Sequence, residues 1–293
     1  MNKHFLVTVS NDYEHLTGIE FICSFFKKLS EHHVTLLHIC RLDATDMNAA
    51  LMEMWDNPDD RVQGRPTVGA QKALNKAVEL LSLSEMSVDR MITKTFAERF
   101  GKIKDILNEG SEGLYDAIIL GKRASYTLQW FFERSADETA KALIGDSSLS
   151  IPLWICPETE WGKRNVLVGL DGSENSLRAV DHVGYILSRQ DQHKITLLYV
   201  ENGAGLDANV LFKQAADVLK GHKIGDDRVL SEQTWGVSVA GTMMTYAERG
   251  NFAAIAVGLH GNKQGILKDL NLAGGTTASL IERAENVSLW CCP

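Results

Sequence analysis

The alternation of apolar and polar positions predicts strands and helices in regular succession from the start of the chain. The run from His4 to Val9 is apolar and ends in polar residues. Apolar residues then recur every three or four positions, as a helix requires: Leu16, Ile19, Ile22, Phe25, Phe26 and Leu29. A second apolar run extends from Val34 to Ile39. The pattern predicts a β-α-β unit.

The same unit recurs later in the chain. Residues 165–200 repeat it without a gap, so that Ser10 falls on Asp171 and Val34 falls on Ile195. The later segments also repeat, apart from roughly two dozen additional residues in the first copy. We place these around residues 43–83, where we expect a loop and a lengthened helix. Self-similarity at a fixed separation is typical of a duplicated domain.

The repeat divides the chain into two predicted domains, residues 1–157 (the first copy) and residues 163–293 (the second copy), joined by a short linker. Each copy reads β-α-β-α-β-α-β-α-β, with mostly apolar, β-branched strands of the kind that is buried on both faces. This is the pattern of a parallel sheet covered by helices on both sides. The predicted fold class is α/β, with two tandem doubly wound five-stranded parallel sheets that are Rossmann-like and related by a pseudo-twofold axis.

Composition narrows the class of protein. Hydrophobic residues make up 44% of the 293 positions and charged residues 23%, as in soluble globular domains. The net charge of -8 argues against binding to nucleic acid or to an anionic membrane. No segment reads as a signal peptide or a membrane span, and the five cysteines lack metal-ligand spacing. We therefore expect a cytoplasmic protein with reduced thiols, no membrane partner and no nucleic-acid partner.

A glycine-rich loop near the end of the second copy is a candidate anion site. The apolar run 252–257 leads into Gly258 and Gly261, and Gly275 with Thr276 precedes a predicted helix at 277–284. Backbone without Cβ atoms that enters a helix presents free N–H groups, which favour phosphate. In a parallel sheet, ligands bind beyond the carboxyl ends of the strands. Asp171 and Val200 end two other strands of this copy, so the sequence predicts a nucleotide site there.

These segments resemble the universal stress protein family in its tandem two-domain form. The residues that carry the resemblance are the strand leading to Asp171-Gly-Ser, the strand ending at Val200, the loop Gly258-x-x-Gly261, the pair Gly275-Thr276 and the closing strand Ser288-Leu-Trp-Cys. The likeness covers essentially the whole chain and is stronger for the second copy. It implies the adenine-nucleotide α-hydrolase-like version of the fold.

The resemblance implies a role for each residue on the base side of the site. Asp171 would meet the adenine or the ribose, and Val200 would flank the adenine. Asp171 also has an alternative, structural interpretation, because aspartate at this position commonly caps the following helix or fixes a turn such as Gly172-Ser173.

On the phosphate side, the resemblance implies that Gly258 and Gly261 approach the ribose and phosphates. Gly275 and Thr276 would hold the phosphates. The loop between them is about four residues longer than the family pattern, a change that surface loops tolerate. His260 could contact a phosphate, although a solvated loop histidine is the alternative.

The first copy departs from the family pattern. Ser10 replaces the aspartate, Gly121-Lys-Arg-Ala124 replaces Gly-x-x-Gly, and Arg134-Ser135 replaces Gly-Thr. We therefore predict that the first copy does not bind nucleotide. The family also implies that the closing strands pair at the sheet edge. On that basis Trp154 and Trp290 form the seam between the copies.

The predicted function is a cytoplasmic stress-response protein whose second copy binds ATP, with or without Mg²⁺, or another adenine nucleotide as a regulatory ligand. We expect no enzyme activity beyond slow ATP hydrolysis, because no histidine with a supporting carboxylate is placed to activate Ser173. We expect the two domains to pair within the chain, and the sequence also allows a homo-oligomer. The alternative is a stress-linked interaction protein of the same fold without nucleotide. A third hypothesis, an α-hydrolase-like enzyme, lacks its His-x-Gly-His or Ser-Gly-Gly-x-Asp-Ser signature.

Overall fold

The computed structural model describes residues 2–41, 62–121, 150–158, 160, 162–259 and 275–293. The strands of these residues are β1 (His4–Thr8), β2 (His33–Cys40), β3 (Met91–Ala97), β4 (Ala117–Gly121), β5 (Leu153–Cys156), β6 (Asn165–Leu170), β7 (Ile195–Glu201), β8 (Val229–Trp235), β9 (Phe252–Gly258) and β10 (Ser288–Cys292). Their helices are α1 (Thr17–Phe25), α2 (Val68–Leu83), α3 (Lys102–Glu112), α4 (Glu174–Leu187), α5 (Ala208–Gly221), α6 (Val239–Arg249) and α7 (Gly275–Arg283).

The described strands form one ten-stranded sheet in the order β3-β2-β1-β4-β5-β10-β9-β6-β7-β8. Within each copy all pairings are parallel, and the central strand, β1 or β6, lies between the second and the fourth strand of that copy. The copies join through an antiparallel pairing of β5 with β10. The predicted α/β class is confirmed, and the two five-stranded sheets are continuous.

Local sequence explains how the elements begin and how deeply they are buried. The helices α2, α4 and α5 each start after a capping side chain, Thr67, Ser173 and Asp207, that accepts a backbone N–H bond. The inner strands are buried almost throughout, as predicted. The outer strands β3 and β8 are not, because each pairs on one side only.

The helices pack on both faces of the sheet and enclose two apolar clusters. One cluster runs without a break through both copies and includes Phe21, Phe25, Trp154, Val180 and Trp290. The other fills the opposite face beneath α3, α6 and α7. The extra length predicted for the first copy is partly visible, because α2 has 16 residues whereas its counterpart α5 has 14. The rest of that insertion, residues 42–61, lies outside the described residues.

Two stacked indoles mark the place where the copies meet. Trp290 lies directly opposite Trp154 in the antiparallel pairing. The ring centroids are 3.9 Å apart with an interplanar angle of 2°, and neither side chain is exposed to solvent. The Trp154 Nε1–H donates to His182 Nε2 at 3.0 Å. Phe25 of α1 meets Trp290 edge-on. Side chains of both copies therefore share one aromatic core.

Buried histidines lie on either side of this aromatic core. His193 stacks on Phe25 with 4.1 Å between centroids, and its Nδ1 lies against the Arg164 carbonyl. Its Nε2 lies 3.0 Å from the Phe25 carbonyl oxygen and 2.9 Å from Gln192 Nε2. Burial lowers the pKa of His182 to about 3 and that of His193 to about 4. Both rings are therefore neutral at pH 7, and neutral His182 can accept the hydrogen bond from the Trp154 indole N–H.

Truncating the stacked indole should cost much of the stability of the fold. We expect Trp290→Ala to lower the free energy of unfolding by about 3–5 kcal/mol, because it leaves a cavity in a fully buried ring stack. Trp235→Ala is the matched control, since that side chain is 71% exposed. Urea unfolding followed by circular dichroism measures both. Equal losses in the two variants would contradict the role of the stack.

The buried His182 should make folding sensitive to acid. An unfolded histidine takes up a proton near pH 6.5, whereas folded His182 stays neutral until about pH 3. The unfolded state therefore binds more protons as pH falls from 6.5 towards 3, and stability falls with it. Between pH 7 and pH 5 this one group removes about 2 kcal/mol. Urea unfolding of His182→Gln at both pH values should show a correspondingly smaller drop than the wild type. An unchanged drop would contradict the assignment.

Candidate nucleotide-binding site

Three predicted site positions lie at one edge of the sheet in the second copy. The strands β9, β6 and β7 are neighbours, with Val168 beside Ala256 and Leu170 beside Tyr199. Asp171 follows Leu170 directly, and Val200 follows Tyr199. The register therefore brings Asp171, Val200 and the end of β9 together at the carboxyl edge, where a parallel sheet binds its ligands.

Asp171 organises the turn between β6 and α4. Its Oδ1 accepts from the Ser173 N–H at 2.9 Å and from the Ser173 hydroxyl at 2.6 Å. Gly172, with φ of +77°, supplies the left-handed residue that this turn needs. The cap of α4 is Ser173, whose Oγ accepts from Ser176 N at 3.0 Å. Of the two structural alternatives, the structure thus shows the turn and not the helix cap. The ligand role of Asp171 stays a prediction.

Close packing explains the glycine at position 258 without any ligand. A Cβ atom there would lie 2.7 to 2.9 Å from backbone and Cβ atoms of Asn175 and Ser176, at the start of α4. Gly121, its counterpart in the first copy, is similarly close to α1, since its Cβ would lie 2.9 Å from Thr17 Oγ1. A glycine therefore ends the fourth strand in both copies, because the end of that strand lies so close to the first helix.

A hydrogen bond joins the first turn of the helix α7 to the end of β9. Thr277 is buried, and its hydroxyl donates to the Gly258 carbonyl at 3.1 Å. Gly275 is exposed, and apart from its own helix no heavy atom of the described residues lies within 4 Å of where its Cβ would be. Thr276, beside it, is half-buried. Backbone N–H groups in the first turn of a helix lack intrahelical partners, so this open position suits an anion. Sequence reasoning missed Thr277, although it directly follows the Gly-Thr pair.

Part of the predicted phosphate loop lies outside the residues that the structure describes. Gly261 and His260 lie outside the described residues. In the first copy the same holds for Lys122, Arg123 and Arg134-Ser135. The arrangement described here therefore concerns the base side of the site and the start of α7.

The end of β7 carries a carboxylate that sequence reasoning missed. Val200 is buried, and the next residue, Glu201, accepts from the Tyr199 hydroxyl at 2.8 Å and from Gly203 N at 2.7 Å. The Tyr199 hydroxyl, followed by the Gly203 amide, lowers the pKa of Glu201. Gly203 and Gly205 both have positive φ, so the loop folds its N–H groups towards this carboxylate. The loop that follows β7 is therefore held by hydrogen bonds to its own carboxylate.

The corresponding edge of the first copy is built differently. Ser10 is exposed, and its hydroxyl accepts from Asp12 N at 3.1 Å. Asp12 Oδ2 contacts His15 Nδ1 at 2.9 Å, and Glu14 lies close by. Among the described residues this is the one group of three such side chains close enough to share a cation, and it was not anticipated from the sequence. Glu14 and His15 are exposed, whereas the Asp12 side chain is only 10% exposed.

Comparison with solved structures identifies the fold. A universal stress protein from Archaeoglobus fulgidus DSM 4304 aligns with a TM-score of 0.58 at 16% identity, over 99% of this chain and 95% of that chain. The chain has the universal stress protein fold. A putative universal stress protein from Pseudomonas aeruginosa UCBPP-PA14 aligns with a TM-score of 0.50 at 14% identity, over 99% of this chain and 93% of that one.

Other comparisons with the universal stress protein fold are partial. A universal stress protein solved in complex with cAMP is 19% identical, with a TM-score of 0.34, over 44% of this chain and 96% of that chain. No protein-family model and no curated protein sequence matches this chain. Among the described helices, none has the length and apolar character that a membrane crossing needs.

Substitution by alanine should destabilise the fold much more at Gly258 than at Gly275. We expect Gly258→Ala to lower the free energy of unfolding by about 1–3 kcal/mol, because its Cβ would press on the backbone at the start of α4. Gly275→Ala should cost less than about 0.5 kcal/mol, since the space around it is open. Urea unfolding distinguishes the two. A tolerated Gly258→Ala would contradict the packing account.

Proposed function

We propose that this chain is a stress-response protein whose second copy binds an adenine nucleotide, ATP in the first place, as a regulatory ligand. One observation carries the proposal: Asp171 and Val200 meet the end of β9 at the carboxyl edge, and α7 is fastened beside them through Thr277. An acceptor carboxylate, an apolar edge and a helix start are the groups that a nucleotide requires.

The residues present fit such a ligand. Among the described residues the position of Gly275 is open, so phosphate oxygens can approach the N–H groups at the start of α7. Val200 is apolar and buried at the end of β7, so it places no polar side chain beside a base, and the partly exposed Asp171 offers acceptor oxygens to ribose hydroxyls or an exocyclic amine. Bound ATP would bring phosphates that Mg²⁺ accompanies in solution.

The proposed role is binding, with at most slow ATP hydrolysis. The Ser173 hydroxyl donates to Asp171 and accepts from the α4 backbone, so both of its described contacts serve the turn and the cap. A hydroxyl held in this way is a poor nucleophile without a neighbouring base. The first copy, residues 1–157, would act as a built-in structural partner of residues 163–293 in the cytoplasm.

A second candidate is an interaction protein of the same fold that binds no nucleotide. Two observations favour it, because Asp171 and Gly258 both have structural duties that explain their presence without a ligand. Binding measurements separate the two candidates.

Calorimetric titration of ATP into nucleotide-free protein tests the proposal. We expect single-site binding that Gly275→Arg abolishes, because the arginine side chain fills the open position without disturbing a packed neighbour. Asp171→Asn, which keeps the Ser173 hydrogen bond but removes the charge, should weaken binding about tenfold.

The matched control is Ser10→Ala, the equivalent position of the first copy, which should bind ATP like the wild type. Absence of binding to folded wild-type protein would contradict the proposal and favour the interaction protein. Equal losses in the control and in the Asp171→Asn variant would also contradict it.

A further inference from the structure

The two outer strands of the sheet are covered differently. β3 ends the described sheet in the first copy and β8 ends it in the second. Residues 62–64 run antiparallel along the outer side of β3. There the Ala97 N–H donates to the Val62 carbonyl at 3.0 Å, and the Thr95 carbonyl accepts from the Gly64 N–H at 3.0 Å. The carboxyl end of β3 is therefore covered by the chain itself.

The second copy has no segment equivalent to residues 62–64. The connection from the second strand to the next helix spans residues 41–67 in the first copy and only residues 202–207 in the second. The short connection leads directly from β7 into α5. Among the described residues, β8 consequently pairs with β7 alone.

The backbone of β8 presents the same groups outward as the backbone of β3. Glu98 N donates inward to the Cys40 carbonyl at 2.8 Å, and Gly236 N donates inward to the Glu201 carbonyl at 3.0 Å. Backbone groups of successive strand residues point to opposite sides of the strand. The odd-numbered residues of β8 therefore direct their N–H and C=O groups outward, as Ala97 does in β3.

The side chains of β8 do not protect this edge. Its sequence, Val-Leu-Ser-Glu-Gln-Thr-Trp, contains no proline, lysine or arginine, and its pairing with β7 is regular without a bulge. Natural sheet edges use such features to prevent pairing with another chain. Leu230 is 52% exposed, Trp235 is 71% exposed, and Val237, just beyond the strand, is 85% exposed. The edge thus offers unpaired backbone together with large apolar side chains.

An antiparallel pairing of β8 with itself would match these groups. With a twofold axis at Gln233, this residue faces the same residue of a second chain, and the two exchange N–H to carbonyl hydrogen bonds. Trp235 then lies opposite Ser231, and Leu230 lies opposite Gly236. Each large exposed side chain meets a small residue, which is the complementarity that cross-strand pairs require.

We propose that β8 pairs with β8 of a second copy of this chain, antiparallel about a twofold axis at Gln233. The charges favour this register, because Glu232 lies opposite Thr234, whereas an axis at Glu232 would set two carboxylates face to face. The sheet then continues through the dimer, joined as β5 and β10 join the two copies within one chain. The contact is one strand wide, so the dimer dissociates on dilution.

Sedimentation velocity of the full chain over a dilution series tests this interface. We expect dimer at high concentration and monomer at low concentration. Gln233→Pro removes an outward N–H without removing a hydrogen bond to β7, so it should weaken dimerisation at least about tenfold. Trp235→Lys, which places a charge at the edge, should do the same. Leu114→Lys is the matched control, because Leu114 is 93% exposed outside β8, and it should leave dimerisation unchanged.

A cysteine at the twofold axis tests the register. Opposite Cα atoms of a hydrogen-bonded antiparallel pair are about 5.5 Å apart, a distance that a disulfide spans. Gln233→Cys should therefore give a disulfide-linked dimer on mild oxidation, and Leu114→Cys should not. Circular dichroism checks that each variant is folded.

Four results would overturn the proposal. They are a monomer at every concentration, dimerisation that is unchanged in both Gln233→Pro and Trp235→Lys, an equal loss of dimer in Leu114→Lys, and equal cross-linking of Gln233→Cys and Leu114→Cys.

Discussion

The antiparallel pairing of β5 with β10, sealed by the stack of Trp154 on Trp290, is the contact on which the rest of the structure depends. It converts two five-stranded sheets into one and removes two exposed strand edges, which would otherwise invite pairing between chains. Because the joined strands run in opposite directions, the carboxyl edges of the two copies face opposite ways. Each copy can therefore have its own chemistry without interfering with the other.

The duplication shows which features the fold itself requires and which are free to change. A glycine ends the fourth strand of both copies, because the first helix approaches too closely for a Cβ atom. By contrast, the network in which Lys94 and Tyr115 donate hydrogen bonds to Glu109 has no counterpart in the second copy, where a pocket lies instead. Positions fixed by close packing are retained, whereas the polar side chains of this network are replaced in the second copy.

Much of the fold could be predicted from the sequence, because strand and helix periodicities and a gap-free internal repeat are properties of residue order. The apolar runs became strands, and the helical pattern around Ala73 and Leu81 became α2. The repeat also predicted where the two indoles would lie in their strands. Burial on both faces was overestimated for β3 and β8, because their position at the sheet edges depends on tertiary arrangement.

The candidate site was less predictable, because a residue type does not reveal which atoms it will contact. Asp171 is fixed in a turn, Ser173 and not Asp171 caps the helix, and Gly258 is explained by packing. The contributions of Thr277 and Glu201 depend on distances between segments far apart or on loop conformation. Neither leaves a periodic signal in the sequence.

The measurement that tests the central claim most directly is a map of backbone amide shifts on addition of ADP to the ¹⁵N-labelled chain. The account predicts that the perturbed amides cluster at residues 171–173, at 200–203, at Gly258 and at 275–277, while those around Ser10 and Gly121 stay unchanged. Shifts centred on the first copy, or spread without a cluster at the carboxyl edge of the second, would contradict it.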